Sequence, residues 1–219
     1  MSEYSLITIS GVNKRRRVPA MAPEERRAAL ISATLPLLRE YGTAVSTRQI
    51  AEAAGVAEGT IFGVFPDKVS LLRAALMHAF DPRPSVDALA ALAARADLRA
   101  RLRAAVGLLR SGMRANANLI AVPRDLLADD AVFRDHMLAG RRRIQSAVAG
   151  LMEPDRARLR RSPDAAAQLL LMLVAVSVFP GFDGGDTFSD MDDEETVSVL
   201  LDGLLVRSPL LPSDTESTR

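Results

Sequence analysis

The chain has 219 residues, of which 48% are hydrophobic and 4% aromatic, with no cysteine and a formal net charge of +1. These values exclude a disulfide framework, a thiolate nucleophile and a Cys-ligated zinc site, and they argue against disorder along the whole length. Charge is divided unevenly, because residues 1–80 carry ten Lys and Arg against seven Asp and Glu, whereas residues 81–219 carry eighteen against twenty. The dominance of alanine and leucine predicts an all-α fold, since strands favour β-branched and aromatic residues.

Residues 1–22 lack a helical period and contain the basic run KRRR at 14–17. We predict a disordered basic arm here. Two interpretations stay open: a solvated tail, or an arm in which Arg16 and Arg17 neutralise DNA phosphates. No apolar run follows the basic residues, so no signal peptide is predicted, and the apolar run at 169–180 is too short to span a bilayer. We therefore expect a cytoplasmic protein.

Residues 23–80 are predicted to form a compact helical domain. Its helices are expected at about 23–41, 47–54, 58–64 and 68–80. Ser46, followed three residues later by Gln49, fits a capping box at the start of the second helix. Gly55 permits a tight turn between the second and third helices. Two short helices joined by such a turn indicate a helix-turn-helix unit, whose second helix can enter the major groove of DNA.

The third helix offers DNA mostly small side chains, which allow its backbone to approach closely. Thr60 adds a hydroxyl and a methyl group that suit a phosphate or a thymine. The residues predicted to contact DNA are Arg16, Arg17, Ser46, Thr47, Arg48, Glu58, Gly59, Thr60, Phe62, Gly63 and Lys68.

A set of residues between 24 and 80 also stands at a characteristic spacing. They are Glu40, Tyr41, Gly42, Thr47, Gln49, Ile50, Ala51, Ala53, Ala54, Gly55, Val56, Gly59, Thr60, Ile61, Phe62, Phe65, Lys68, Leu71 and Leu72. On these residues the stretch resembles the DNA-binding domain of the TetR/AcrR family of bacterial transcriptional regulators. The resemblance implies a homodimer, a helical C-terminal domain with a ligand cavity, and repression relieved by a small molecule.

The recognition helix departs from the family pattern at three positions, one of which is Gly63, where a larger residue is common. Phe62 stands where the family usually has Tyr, and Val64 stands where it has His or Tyr. Neither side chain can donate a hydrogen bond to a phosphate. We therefore expect the phosphate contacts to come from backbone N–H groups at helix starts and from four side chains, those of Thr47, Arg48, Thr60 and Lys68.

The proline-rich sequence DPRPS at 81–85 predicts the boundary to a second domain at 86–208, which is followed by a disordered tail at 209–219. The helices of this second domain are predicted at about 86–95, 97–121, 129–152, 163–179 and 190–206, with a bend or break near 112–118. We expect this domain to bind a ligand and to form the dimer.

The last two predicted helices are strongly apolar. A helix that is apolar nearly all round must be buried on all sides, which in a chain of this size favours a two-fold dimer interface. A monomeric core is the alternative. The residues predicted to form the dimer contact are Leu169, Leu173, Val176, Leu200, Leu201 and Leu204.

A ligand cavity is predicted between the helices at 97–121 and 129–152. The candidate lining residues are Leu109, Met113, Asn116, Ile120, Phe133 and Met137. Because few charges would point into it, the expected effector is apolar or neutral. Each of these residues could instead belong to the core.

No constellation in the chain indicates catalysis, a metal or a cofactor. His78 and His136 have no metal-binding spacing. We interpret His78 as a partly exposed helix residue and His136 as a surface residue, with a ligand contact as the alternative for His136. The basic run at 141–143 reads as a solvated helix face, or alternatively as one half of a charge pair between the domains. The function predicted is a homodimeric repressor released from operator DNA by a small molecule. One alternative is a helical small-molecule-binding protein or enzyme with a vestigial DNA-binding module. A third interpretation is an activator or a partner-binding adaptor that uses the same fold.

Overall fold

The computed structural model describes residues 22–95, 97–120, 127, 130–179 and 191–204, and every regular element within them is helical. This confirms the predicted all-α fold class. The α-helices are α1 (Pro23–Tyr41), α2 (Thr47–Ala53), α3 (Glu58–Phe62), α4 (Lys68–Ala79), α5 (Arg83–Leu92), α6 (Leu98–Ala115), α7 (Ala131–Met152), α8 (Pro163–Val178) and α9 (Asp193–Leu204). The predicted arm, with Arg16 and Arg17, and the predicted tail lie outside the described residues. Among the helices described, none is long and apolar enough to cross a membrane.

Short-range signals set most helix ends in the first eighty residues. The Glu25 carboxylate accepts a hydrogen bond from the backbone N–H of Ala22, 3.1 Å away, at the start of α1. The helix ends at Gly42, whose φ of +56° is a conformation that other residues rarely adopt. Asp67 caps α4, because its carboxylate accepts from the N–H of Ser70 at 2.7 Å.

The middle of the chain departs from one predicted boundary and contains the break predicted near 112–118. Helix α5 begins at Arg83, three residues earlier than expected, since Pro84 is well accommodated in a first helical turn. Helix α6 stops at Ala115, and a short 3₁₀ helix (Ala117–Leu119) follows it. The break falls at Asn116, whose φ of −112° is not helical.

Two hydrophobic cores organise the fold. The first joins α1, α2, α3 and α4 through residues such as Leu30, Ile50, Ile61 and Leu72, all buried. The second joins α5 to α9. The first core also takes side chains from beyond α6, namely Leu119, Leu127 and Phe133. The segment between α6 and α7 therefore contributes to the core of the N-terminal helices.

Two arginines are buried within the second group of helices. Arg110 on α6 donates to the Oγ1 of Thr196 at 2.9 Å and forms an ion pair with Asp193 at 2.5 Å, both on or beside α9. Arg101 donates to the backbone carbonyl of Leu151 at 2.9 Å and pairs with Asp155. Since an unpaired buried charge is very costly, these contacts fix the positions of α9 and the end of α7 against α6.

Candidate DNA-binding surface

The helix-turn-helix unit is built by α2 and α3. Ser46 and Gln49 form the predicted capping box: the Ser46 Oγ accepts from the Gln49 N–H at 3.2 Å, and the Ser46 N–H donates to the Gln49 Oε1 at 2.8 Å. The turn passes through Gly55, which has a φ of +66°. The N–H of Val56 closes the turn by donating to the carbonyl of Ala51 at 3.0 Å. These contacts fix the direction in which α3 leaves the turn.

The inner face of the unit is held by buried apolar side chains. Ile50 on α2 and Ile61 on α3 are fully buried, and Phe65 is 2% exposed. The guanidinium of Arg27 on α1 stacks over the Phe65 ring, 4.4 Å from its centroid. This cation–π contact joins α1 to the end of the recognition helix, and the sequence pattern gave no sign of it.

The outer face of α3 presents backbone and one large ring. Gly59 and Gly63 are exposed, Thr60 is half-buried, and Phe62 is 53% exposed. The helix ends at Phe62, two residues earlier than predicted, as the chain turns through a hydrogen bond from the Val64 N–H to the Ile61 carbonyl at 3.0 Å. The exposed Phe62 ring on a small-residue face can pack against thymine methyl groups but cannot donate to a phosphate.

Two of the residues predicted to contact DNA are hydrogen-bonded to each other. The Thr47 Oγ1 donates to the Glu58 Oε1 at 2.5 Å, which joins the first residue of α2 to the first residue of α3. The negative charge of Glu58 is thereby held at the start of the recognition helix. It complements the helix dipole there, but it would repel nearby phosphates.

The predicted basic contacts differ in their surroundings. Lys68 is half-buried, and its Nζ donates to the backbone carbonyl of Thr43 at 2.9 Å, which links the start of α4 to the loop before α2. Arg48 is exposed on α2. Arg48 is therefore better placed than Lys68 to act as an adaptable phosphate contact.

Polar contacts join this unit to the helices that follow. The Asn116 side chain donates from Nδ2 to the carbonyl of Ala79 at 3.3 Å, and its Oδ1 accepts from Arg39 at 3.2 Å. The Nε of Arg73 on α4 lies 2.9 Å from the Oδ2 of Asp130, an ion pair that lacks the geometry of a hydrogen bond. Movement of α6 or α7 would therefore be felt at α1 and α4.

The six residues predicted to line a ligand cavity are divided between the two cores. Leu109 is buried in the second core, and Met113 packs against it. Phe133 is buried in the first core, and Met137 packs against that one. Asn116 has the polar contacts described above, and Ile120 is 39% exposed. Their division between the cores argues against the single apolar cavity that we expected from the sequence.

The residues predicted to form a dimer contact also divide into two sets. Leu200 and Leu201 are 4% and 3% exposed within the single chain, so their side chains have almost no surface left for a partner. Leu173 and Val176 are half-buried, and the Leu204 side chain lies outside the described part. Leu169 is 42% exposed. Other exposed apolar residues on these helices, Met172 at 51% and Val199 at 52%, were not predicted.

Two clefts in the described part of the chain have charged or polar side chains in their walls. One, of about 600 Å³, lies between α6 and the start of α9 and is lined by Arg103, Gly107, Arg110, Ser111, Arg114, Asp192, Asp193 and Glu194. The other, of about 430 Å³, lies where α4, α5 and α7 meet, and we call it the junction cleft. It brings together His78 and His136, which the sequence pattern had left apart. Within the described residues, no group of three His, Asp or Glu side chains is placed to hold a metal ion.

Comparison with known proteins identifies the N-terminal unit. Residues 30–75 match the model of the bacterial regulatory proteins of the tetR family. Over 120 residues the chain is 37% identical to the HTH-type transcriptional repressor KstR of Mycolicibacterium smegmatis. The aligned region covers 54% of this chain and 56% of that protein. The chain thus spans little more than half the length of this relative.

Solved structures extend the likeness of fold to most of the chain. A TetR transcription regulator from Haloarcula marismortui has a TM-score of 0.63 at 18% identity, covering 84% of this chain and all of that one. The fatty acid degradation regulator FadR from Bacillus halodurans has a TM-score of 0.57 at 18% identity, covering 81% of this chain and 93% of that one. At these identities the similarity concerns the fold alone.

Proposed function

We propose that the chain, whose residues 30–75 match the model of the TetR family of bacterial regulatory proteins, is a homodimeric transcriptional repressor that a small molecule releases from operator DNA. The observation that carries this proposal is the capped and glycine-turned α2–α3 unit, with its small-residue outer face, inside the segment that matches the family model. Acting on genomic DNA would place the protein in the cytoplasm.

The DNA contact would be made by α3 in the major groove, with α2 and the basic arm on the backbone. Gly59 and Gly63 leave room for the groove wall, Thr60 and Phe62 face the base edges, and Arg48 contacts phosphate. Two copies related by a two-fold axis would read two half-sites one helical turn apart. The excess of basic residues in the first eighty positions supports this arrangement.

The dimer contact would be formed by the exposed apolar side chains of α8 and α9. Leu169 and Met172 lie three residues apart on α8, hence on one face of that helix, and Val199 projects from α9. Water-exposed apolar groups of this size on adjacent helices are typical of a surface that is covered in the working assembly.

Release by an effector would act through the polar contacts that Asn116 and Arg73 make between the two groups of helices. A ligand that moves α6 or α7 would shift α4, and α4 follows the recognition helix directly. That the effector is apolar or neutral stays a prediction.

The test is fluorescence anisotropy with DNA from upstream of the protein's own reading frame, measured against scrambled DNA of the same composition at two salt concentrations. We expect binding that falls with salt yet survives an excess of scrambled competitor. Equal affinity for both DNAs would contradict sequence-specific regulation. The alternative of an enzyme with a vestigial DNA module is not favoured by the relatives, which are regulators.

A further inference from the structure

The junction cleft lies between the DNA-reading helices and the rest of the chain. Its walls come from the end of α4, the start of α5 and one face of α7, and its volume of about 430 Å³ suits a small molecule. It is lined by Met77, His78, Asp81, Pro82, Arg83, His136, Ala139, Gly140 and Arg143. A molecule bound there would touch both groups of helices at once.

One face of α7 is turned toward this cleft. His136, Gly140 and Arg143 stand four and then three residues apart, which places them on the same side of a helix. Gly140 is buried against Pro82: a Cβ at position 140 would lie 3.6 Å from the Pro82 Cγ, an ordinary contact distance. The helix thus approaches the α4–α5 connection closely at Gly140, with His136 and Arg143 on either side of that contact.

The acidic residue of the cleft is already neutralised. The Arg83 Nε donates to both Asp81 oxygens, at 3.0 and 2.8 Å, and the Arg83 backbone N–H donates to the Oδ1 at 3.0 Å. These hydrogen bonds lower the pKa of Asp81 to about 2, so the carboxylate is ionised and paired at neutral pH. Asp81 and Arg83 cancel each other's charge, and the cleft keeps the donors of His78, His136 and Arg143.

His136 supplies the observation that points to a ligand. Its Nε2 is buried and has no hydrogen-bond partner among the described residues. A buried imidazole nitrogen normally has a partner, because leaving it without one costs the free energy of its lost hydration. Arg143, which also lines the cleft, is by contrast exposed. A ligand with hydrogen-bond acceptors could therefore supply a partner for the His136 nitrogen and also pair with the Arg143 guanidinium.

We propose that the junction cleft binds a small organic carboxylate. Arg143 pairs with the carboxylate, His136 donates from Nε2, and Met77, Pro82 and Ala139 contact the hydrocarbon part. The Arg143 guanidinium, which has no ion-pair partner among the described residues, favours a monoanion over a phosphate dianion, and the apolar side chains of the cleft favour an organic acid over an inorganic ion. An anionic effector would replace the apolar or neutral one predicted from the sequence. That this ligand is the effector rests on the proposed function. Binding itself does not, since it needs only the cleft.

The experiment uses sodium hexanoate as the probe, with hexan-1-ol as its neutral counterpart and hexyl phosphate as the dianion. The chain contains two histidines, so its ¹H–¹³C spectrum holds two pairs of imidazole signals, one Cδ2–H and one Cε1–H for each ring, which His78→Gln assigns. We expect hexanoate to shift the His136 signal saturably. Hexan-1-ol should leave it unmoved at the same concentrations.

Arg143→Gln and Arg142→Gln form a matched pair for titration calorimetry. Both residues are exposed on α7, and Arg143 lines the cleft. We expect Arg143→Gln to weaken hexanoate binding about tenfold, the effect of losing a charge-assisted hydrogen bond, and Arg142→Gln to leave it unchanged. Equal losses in both variants, an unmoved His136 signal, or tighter binding of hexan-1-ol or hexyl phosphate would overturn the proposal.

The same protein is then tested on DNA, which separates the two proposals. Hexanoate binding without any DNA preference would leave the carboxylate site standing and refute the proposed function. Specific DNA binding without hexanoate binding would refute the site and leave the proposed function intact.

Discussion

The side-chain amide of Asn116 donates a hydrogen bond to the backbone carbonyl of Ala79, 3.3 Å away. Asn116 stands where α6 ends, and Ala79 is the last residue of α4. The same amide accepts from Arg39 near the end of α1. One side chain therefore ties the helix that leaves the second core to two helices of the DNA-reading unit.

Replacement of Asn116 by Ala should weaken this connection. Loss of both hydrogen bonds, one of them half-buried, is expected to lower the free energy of unfolding by about 1–2 kcal/mol. Urea denaturation measures this free energy of unfolding. The affinity for operator DNA should also change in Asn116→Ala. Asn118→Ala is the control, because Asn118 is exposed on the following 3₁₀ helix and should shift stability by no more than about 0.5 kcal/mol. Equal effects at both positions would contradict a special role for Asn116.

Asp130 carries a second connection, and two substitutions separate its two contacts. Its Oδ1 caps α7 by accepting from the Phe133 N–H at 2.9 Å, and its Oδ2 faces the Arg73 Nε at 2.9 Å. Asp130→Asn keeps a capping group but loses the ion pair. Because Arg73 is one-third exposed, we expect this substitution to lower the free energy of unfolding by only about 0.5–1 kcal/mol. Asp130→Ala also removes the helix cap and should lower the free energy of unfolding by about 1 kcal/mol more.

A double-mutant cycle with Arg73→Gln provides the control for Asp130. If the two residues interact, Arg73→Gln should lower the free energy of unfolding much less in the Asp130→Asn background than in the wild type. Strict additivity of the two substitutions would show that the residues do not interact.

The fold was largely accessible from the sequence because its signals are local. Ser46 and Asp67 cap helix starts by accepting from the backbone N–H three residues later, and Gly55 stands at a turn that needs a positive φ. The partners of Asn116 are 37 and 77 residues away, and no periodicity encodes such a pairing. His78 and His136 meet in one cleft only because α4 and α7 pack together.

The apolar stripes on the last two helices show a second limit. Periodicity identified Leu200 and Leu201 as members of an apolar face, and that face is buried. It could not tell whether the covering surface belongs to the same chain or to a partner. Here the same chain covers them, while Met172 and Val199 stay exposed.

Charged substitutions on α8 test the proposed dimer surface. Leu169→Glu combined with Met172→Glu should convert a dimer into monomers in sedimentation velocity, because two charges would have to be buried in an apolar contact. The side chains are 42% and 51% exposed, so the monomer itself should stay folded by circular dichroism. Val132→Glu is the control, since Val132 is 60% exposed on α7. A dimer that survives the double substitution would refute this surface.

Glu58 should restrain DNA affinity rather than add to it. In Glu58→Gln the amide oxygen can still accept from the Thr47 Oγ1, but the negative charge at the start of α3 is gone. We expect affinity to rise a few-fold for operator and scrambled DNA alike, because the effect is electrostatic. Arg48→Gln should act in the opposite direction and reduce the slope of log K against log salt by about 0.9. Anisotropy at several salt concentrations measures both. A loss in Glu58→Gln confined to the operator would instead indicate that Glu58 accepts from a cytosine.

Asp81 should give the fold an acid-dependent contribution. Hydrogen bonds from Arg83 hold the pKa of its carboxyl at about 2, below the ordinary value of 3.8. The native state therefore binds fewer protons than the unfolded state, so the ionised carboxylate stabilises the fold above about pH 4, and this is lost as the pH falls toward about 2. Because Arg83 is 77% exposed, the contribution should stay below about 1 kcal/mol.

Urea denaturation of the wild type and Asp81→Asn across this acid range measures the contribution. The two proteins should differ most near neutral pH and converge as the pH falls, because protonation removes from the wild type what the substitution removes permanently. Asp87→Asn, at an exposed position on α5, controls for the general effect of deleting a negative charge. A gap between wild type and Asp81→Asn that stays constant down to the acid limit would mean that the Asp81–Arg83 pair adds nothing through ionisation, and that Asp81 acts only by its shape.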